Sequence, residues 1–245
     1  MQKINFFSHS AQIQGIIKGL TLSKSLFIST IIWGEPFTGK RTLVRSLFPT
    51  ATLVDGQDFE TLQHTLQNSD ELIIYNFELI PNSQVLDLEN KRIIAIANYE
   101  KPPISIENRF AFIYHMPPLR ERAKDVAYFL KEFSEELKDE LEVETKREVG
   151  VEHLDLSQNF KSLRISLNRE LIKKTLSQED IEEILFDYLY DKIEGKNAYR
   201  EYLSLYEKPL IEAGLKKFKS QLRLSEVLGL NRNTLRKKIH EHNID

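Results

Sequence analysis

An apolar run, Leu26–Trp33, passes straight into Gly34-Glu35-Pro36-Phe37-Thr38-Gly39-Lys40 and then into the helix-compatible stretch Arg41–Phe48. A short, nearly continuous apolar run is the pattern of a strand buried on both faces of a parallel sheet. Strand, glycine loop and helix in that order restrict the chain to an α/β class with a parallel sheet. The glycines let backbone N–H groups curl around phosphate oxygens. The helix N-terminus adds positive potential, and Lys40 can neutralise charge on the outer phosphates. Gly34, Glu35, Pro36, Phe37, Thr38, Gly39, Lys40 and Arg41 are therefore the candidate nucleotide-binding residues. Arg41 stands where many such loops carry Ser or Thr for Mg²⁺. So short a motif can arise by chance; its placement between strand and helix favours phosphate binding.

Further strand-like runs follow at Ala51–Val54, Leu72–Tyr75 and Arg92–Ala97, with helix-capable stretches between some of them. This alternation fits a parallel sheet covered by helices. Residues 101–117, with Pro102, Pro103 and Pro117, read as a connection, and Glu132–Glu148 as a solvated acidic helix face. A chain of 245 residues has room for one medium α/β domain and a small helical one. It has no cysteine, which excludes disulfides, thiolate zinc sites and a cysteine nucleophile. His240 and His242 are spaced wrongly for one helix face, so no metal site is expected. No apolar run reaches membrane-span length, and the start MQKINFF lacks a signal-peptide plan, so the expectation is a cytoplasmic protein with no membrane contact.

The last stretch, Gln221–Ile239, has helix–turn–helix spacing. Leu224, Val227 and Leu228 can face inward from a first short helix. Gly229 supplies the turn, Asn231 can cap the next helix, and Leu235 and Ile239 anchor it. The other face then carries Arg232, Asn233, Thr234, Arg236, Lys237 and Lys238. Between residues 214 and 240 there are eight Lys or Arg and one acid, Glu226, in a chain of net charge −3. A solvated amphipathic helix would give a similar patch. Turn glycine, cap, apolar spacing and Arg and Asn at a helix start together select double-stranded DNA as the partner.

This segment closely resembles the C-terminal DNA-binding domain of the Fis type. In that family two preceding helices pair with those of a second chain. Ile181–Ile193 and Ala198–Phe218 occupy those places, with Glu194-Gly195-Lys196-Asn197 as the turn. Their apolar stripes suit a homodimer, although intramolecular core would produce the same spacing. By position, the resemblance implies DNA contacts from Asn231, Arg232, Thr234, Arg236 and Lys237, with Arg223 near the backbone. Upstream, Pro118-Leu119-Arg120-Glu121-Arg122 joins the phosphate loop and the Fis-like tail in the order of the NtrC-type enhancer-binding proteins, AAA+ ATPases that activate sigma-54 RNA polymerase. Ser8–Leu26 matches the helix before their loop, and Arg41 departs less from that family, which often has Glu at this place rather than Ser or Thr. The resemblance implies an AAA+-like P-loop domain over residues 1–117, a helical lid over 118–175 and a Fis-type domain over 176–245. It also makes Asn98 a sensing residue and Lys161 the substitute for a sensing Arg. Arg109 is then either an arginine reaching into a neighbouring subunit or a surface arginine.

The departures from that family carry the functional reading. A GAFTGA loop contacts sigma-54 in the family, whereas here no glycine occurs from residue 57 to 149 and only 34 residues separate Lys40 from Tyr75. The second nucleotide motif should end in Asp-Glu, but Tyr75 and Asn76 stand there. Asp55 is the nearest acid, on a different strand. Mg²⁺ is therefore not expected, ATP or ADP remains the candidate ligand, and hydrolysis is not expected. The expected function is a dimeric DNA-binding regulator. The alternatives are a slow divergent ATPase, or an interaction protein acting on full-length enhancer-binding proteins or RNA polymerase.

Overall fold

The computed structural model describes residues 6–81, 83–101, 103, 108–140 and 149–244. It divides into two compact units, Met1–Leu176 and Ser177–Asp245. In the first, helix α1 (Ala11–Leu26) precedes β1 (Thr30–Trp33). Then come α2 (Lys40–Leu47), β2 (Thr52–Asp55), α3 (Phe59–Asn68), β3 (Glu71–Tyr75), β4 (Arg92–Ala97) and β5 (Phe112–His115). Among the described residues the strands form one parallel five-stranded sheet in the order β2-β3-β4-β1-β5. Alternate side chains feed two cores, as the pleat requires. Ile32, Ile73, Ile94 and Ile96 pack with Ile13, Ile16, Leu20, Leu43 and Val44 from α1 and α2. Ile31, Leu72, Ile74, Ile93 and Ala95 pack on the opposite face with Leu62 and Leu66 of α3 and with Phe77 and Phe110.

Two local expectations are corrected. The run Leu26–Trp33 is a strand only from Thr30; Leu26 closes α1, and Phe27 caps it in the left-handed region at φ 51°. Residues 101–117 are more than a connection, because β5 lies within them and pairs with β1 from Thr30↔Phe112 to Trp33↔His115. As an edge strand β5 is only partly buried, which hides it from a reading based on apolar runs. Pro102 lies outside the described residues.

After a single turn at Leu119–Glu121 the chain forms α4 (Ala123–Glu140) and α5 (Asn159–Thr175). Of the acidic run Glu132–Glu148, the part through Glu140 belongs to α4; residues 141–148 lie outside the described ones. Leu119, Val126 and Leu163 form one core of this layer, and Leu137, Val149, Leu167 and Leu171 another. Phe129 meets Phe160 edge to face at 4.8 Å.

The second unit holds α6 (Gln178–Tyr190), α7 (Ala198–Tyr202), α8 (Ser204–Phe218), α9 (Gln221–Leu228) and α10 (Arg232–Glu241). Helix α6 starts earlier than its apolar stripe. Ser177 Oγ accepts from Asp180 N at 3.1 Å, while Ser177 N donates back to Asp180 Oδ2 at 2.7 Å, a capping box. Ile211, Leu224 and Leu235 are the buried centre, ringed by Leu215, Phe218, Leu228, Leu230 and Ile239. A β-carbon on Gly214 would collide with Leu224, so α8 and α9 approach here because residue 214 has no side chain. The described helices include none long and apolar enough to cross a membrane. The α/β class with a parallel sheet, covering helices and a C-terminal helical domain is thus the class the sequence led us to expect.

Candidate functional site

The phosphate-type loop lies at the C-terminal end of β1 and runs into α2. Gly34 has φ 139° and Gly39 φ 95°, both closed to ordinary side chains. A β-carbon on Gly34 would also sit 2.5 Å from Met116 O. Phe37 takes φ 60° despite its bulk, a strained choice that costs on the order of 1–2 kcal/mol. Lys40 is buried and folded onto its own loop, where Nζ donates to Gly34 O at 2.8 Å, Glu35 O at 2.5 Å and Thr38 Oγ1 at 3.4 Å. Burial lowers the Lys40 ammonium to about 8, against the opposing pull of Glu78 and then Glu35.

Several groups hold the loop from the helical layer. Arg120 grips Glu35 with two bonds of 2.8 and 2.5 Å and keeps its carboxylate below the usual range. Asn159 is nearly fully buried. Its amide donates to Glu35 Oε2 at 3.1 Å and Pro36 O at 3.0 Å, and its Oδ1 accepts from Leu119 N at 2.6 Å. Phe160 N donates to Phe37 O at 3.1 Å, and Lys161 Nζ lies 5.1 Å from the Phe37 ring centre. Arg122 donates to Thr38 O at 2.9 Å. Its neighbour Asp125 accepts from Ser8 Oγ and His9 N, each at 2.6 Å. The PLRER stretch thus binds the loop directly. On the sheet side, the Trp33 ring packs at a tilt against His115, centroids 4.2 Å apart, beside Gly34.

Tyr75 ends β3 and Asn76 follows it, where the resemblance would put the second nucleotide motif. The Arg41 guanidinium lies 4.3 Å from the centre of the Tyr75 ring. Asn76 adopts φ 53° and its amide donates to Asp55 Oδ1 at 3.0 Å. Burial, then the Asp55 carboxylate, raises the Tyr75 phenol above its ordinary value, so it carries no charge near neutral pH. Sequence reading passed over Glu78, in the turn after β3. Its two oxygens accept from Asn98 N at 3.0 Å and Asn98 Nδ2 at 2.8 Å. It is the acid acting most strongly on Lys40. Acid two residues past the expected pair was the available signal. Asn98 therefore engages Glu78. Arg109 donates to Ser83 O, and to Leu86 O at 2.6 Å, so its guanidinium fastens the chain's own backbone.

The second unit is built for presentation. Gly229 caps α9 at φ 63°, and Leu230 N reaches back to Ser225 O at 2.9 Å, closing a Schellman-type turn. Asn231 Oδ1 then accepts from Asn233 N at 2.9 Å to start α10. Leu235 is buried, whereas Asn231, Arg232, Asn233, Thr234, Arg236 and Lys237 are exposed. Arg223 is exposed over the Phe218 ring at 5.3 Å. Lys238 differs from its neighbours. It turns back onto Glu207 of α8, which His242 also meets at 3.2 Å, so Glu207 clasps the end of α10. Val227 corrects a further expectation: it is exposed, and Ser225 takes the buried place beside Leu224.

Residues 202–242 match the family described as "Bacterial regulatory protein, Fis family". The second unit therefore carries a Fis-type helix–turn–helix. No curated protein matches the sequence. Among solved structures, NtrX from Brucella abortus in complex with ATP is similar over 98% of this chain and 69% of its own, at 14% identity and TM-score 0.50. A further NtrX structure from the same organism is similar over 97% and 69%, at 15% identity and TM-score 0.53. At such identities the likeness is one of fold, and it agrees with the NtrC-like resemblance read from the motifs.

Proposed function

We propose that this chain is a DNA-binding transcriptional regulator that acts as a dimer, its first unit binding ATP or ADP without remodelling sigma-54 polymerase. The observation that carries the reading is the exposed row Arg232, Asn233, Thr234, Arg236 and Lys237 on a helix fixed by turn and cap within the Fis-matching residues. Arg and Asn at the helix start suit base edges, while Lys and Thr suit phosphates. Dimer formation is supported by α6, which buries none of its residues and shows Ile181, Ile184, Leu185 and Tyr188 along one helical face. Absence of the sigma-54 loop is supported by α3 ending at Asn68 and β3 starting at Glu71. Nucleotide binding is supported by the loop geometry and by the fold shared with an NtrX crystallised with ATP. A bacterial cytoplasmic setting fits a DNA ligand.

Mobility-shift titration against duplex fragments at several salt concentrations tests the reading. Binding should weaken steeply with salt, and Arg236→Ala should weaken it at least tenfold. Absence of salt-sensitive binding by the dimer would sink it. A second reading, slow ATP hydrolysis, draws on Glu78 and its pull on Lys40. Phosphate release lost in both Lys40→Ala and Glu78→Gln would favour that reading.

A further inference from the structure

Many P-loop sites hold Mg²⁺ through a hydroxyl just after the loop lysine and an acid ending a nearby strand. The residues in those two positions here are Arg41 and Tyr75, and they contact each other, with the guanidinium 4.3 Å from the ring centre. Neither suits a hard dication, which takes oxygen ligands and prefers anionic ones. Asn76 is turned away to Asp55. Asp55 ends β2, three strands from β1 and so about 14 Å across the sheet. Its Oδ1 also accepts from Gln57 N at 3.0 Å. Glu78 lies in the turn past the end of β3 and its two oxygens accept from Asn98. The donor set does not fit the metal.

Arg41 has what the metal would supply. It is the second residue of α2, whose first N–H groups point at the phosphate position. Its side chain is exposed, and among the described residues it has no hydrogen-bond or ion-pair partner in the protein. A planar guanidinium can grip phosphate oxygens by two bonds, and an aromatic face beneath it fixes its plane.

We propose that Arg41, braced on Tyr75, replaces Mg²⁺ at this site, so that the loop takes the metal-free nucleoside di- or triphosphate. The proposal rests on the nucleotide-binding reading above and deepens it: the ligand is the free polyphosphate anion, and Arg41 and Lys40 supply the charge that holds it. Tyr75 is a positioning residue that acts through Arg41.

The test is titration of fluorescent ATP and ADP into the full chain, in EDTA and again in millimolar Mg²⁺. Wild-type affinity should be at least as tight in EDTA as in Mg²⁺, and for ATP tighter, since millimolar Mg²⁺ ties up the free polyphosphate that the site takes. Arg41→Ala should weaken binding in EDTA at least tenfold, and Arg41→Lys, which keeps the charge but loses the fork, should fall between. Arg41→Ser restores the hydroxyl and should not restore affinity in EDTA. Binding tenfold tighter with Mg²⁺ would overturn the proposal, and its loss in Glu78→Gln would name Glu78 as the metal's anchor. Unchanged affinity in both Arg41→Ala and Arg41→Lys would also overturn it. In those cases binding that disappears in Lys40→Ala leaves the nucleotide reading standing. No binding by wild type in either condition removes both.

Discussion

Lys40 is the residue whose setting says most about its use. A lysine that gives up its proton near pH 8 is charged at neutral pH and largely neutral a unit or two higher. Phosphate needs the charged form, so nucleotide affinity should fall above about pH 8, by as much as tenfold per unit, with proton uptake on binding. Isothermal titration in buffers of different ionisation enthalpy checks this. The sign for folding is opposite: an unfolded lysine holds its proton to higher pH, so this group adds stability as pH rises from about 8 to the ordinary lysine value near 10.5. Asn159 gives a second test at this scale. Asn159→Ala removes bonds to Glu35 and Pro36 and leaves Leu119 N buried without its acceptor. The loss should be about 2–3 kcal/mol, lowering the first unit's melting temperature by roughly 5–10 °C. The loop glycines and Lys40 could be read from spacing alone. For Glu78 the only local mark was an acid two residues past the expected pair; its partner Asn98 arrives from another strand, and pairing across a sheet leaves no mark of its own.

Among the elements, α10 depends on how α8 holds it. Glu207 is kept below the usual carboxylate range by Lys238 first and His242 after it. Its contribution is therefore complete above the ordinary Glu value near 4.5 and fades as pH falls through the lower folded value. Glu207→Gln should destabilise the second unit by about 1 kcal/mol, which in a unit of this size lowers melting by roughly 4–8 °C. It should also release Lys238 toward the exposed basic face, so DNA affinity per folded molecule should hold or rise. Circular dichroism melting and mobility shift on one variant separate the two effects. Gly214→Ala, by contrast, drives α8 off Leu224 and should weaken stability and DNA binding together. Helix existence was legible here from apolar spacing and caps. The inward role expected of Val227 was not borne out, because the spacing of Leu224 and Leu228 allows Ser225 or Val227 as the third member, and contact with α8 decides between them. In the sheet, the fully buried β4 was visible as a run, whereas edge strand β5 was not.

At the scale of the molecule, each unit has its own apolar centre, one built on the sheet and one on Ile211, Leu224 and Leu235. Calorimetry should therefore resolve two transitions, with ATP or ADP raising only the one belonging to Met1–Leu176 and duplex DNA only the other. A single transition shifted equally by both ligands would contradict that independence. The fastening of loop to helical layer through Glu35, Arg120 and Asn159 was hidden, because its members lie up to 124 residues apart.

Trp33 is the only tryptophan in the chain, and its ring packs against His115 one residue before Gly34. The molecule thus carries its own lamp at the mouth of the loop. Excitation at the red edge of indole absorption illuminates the first unit and leaves the second dark. Occupancy of the loop can then be followed as a change in emission in the unlabelled protein, even while the second unit is saturated with DNA.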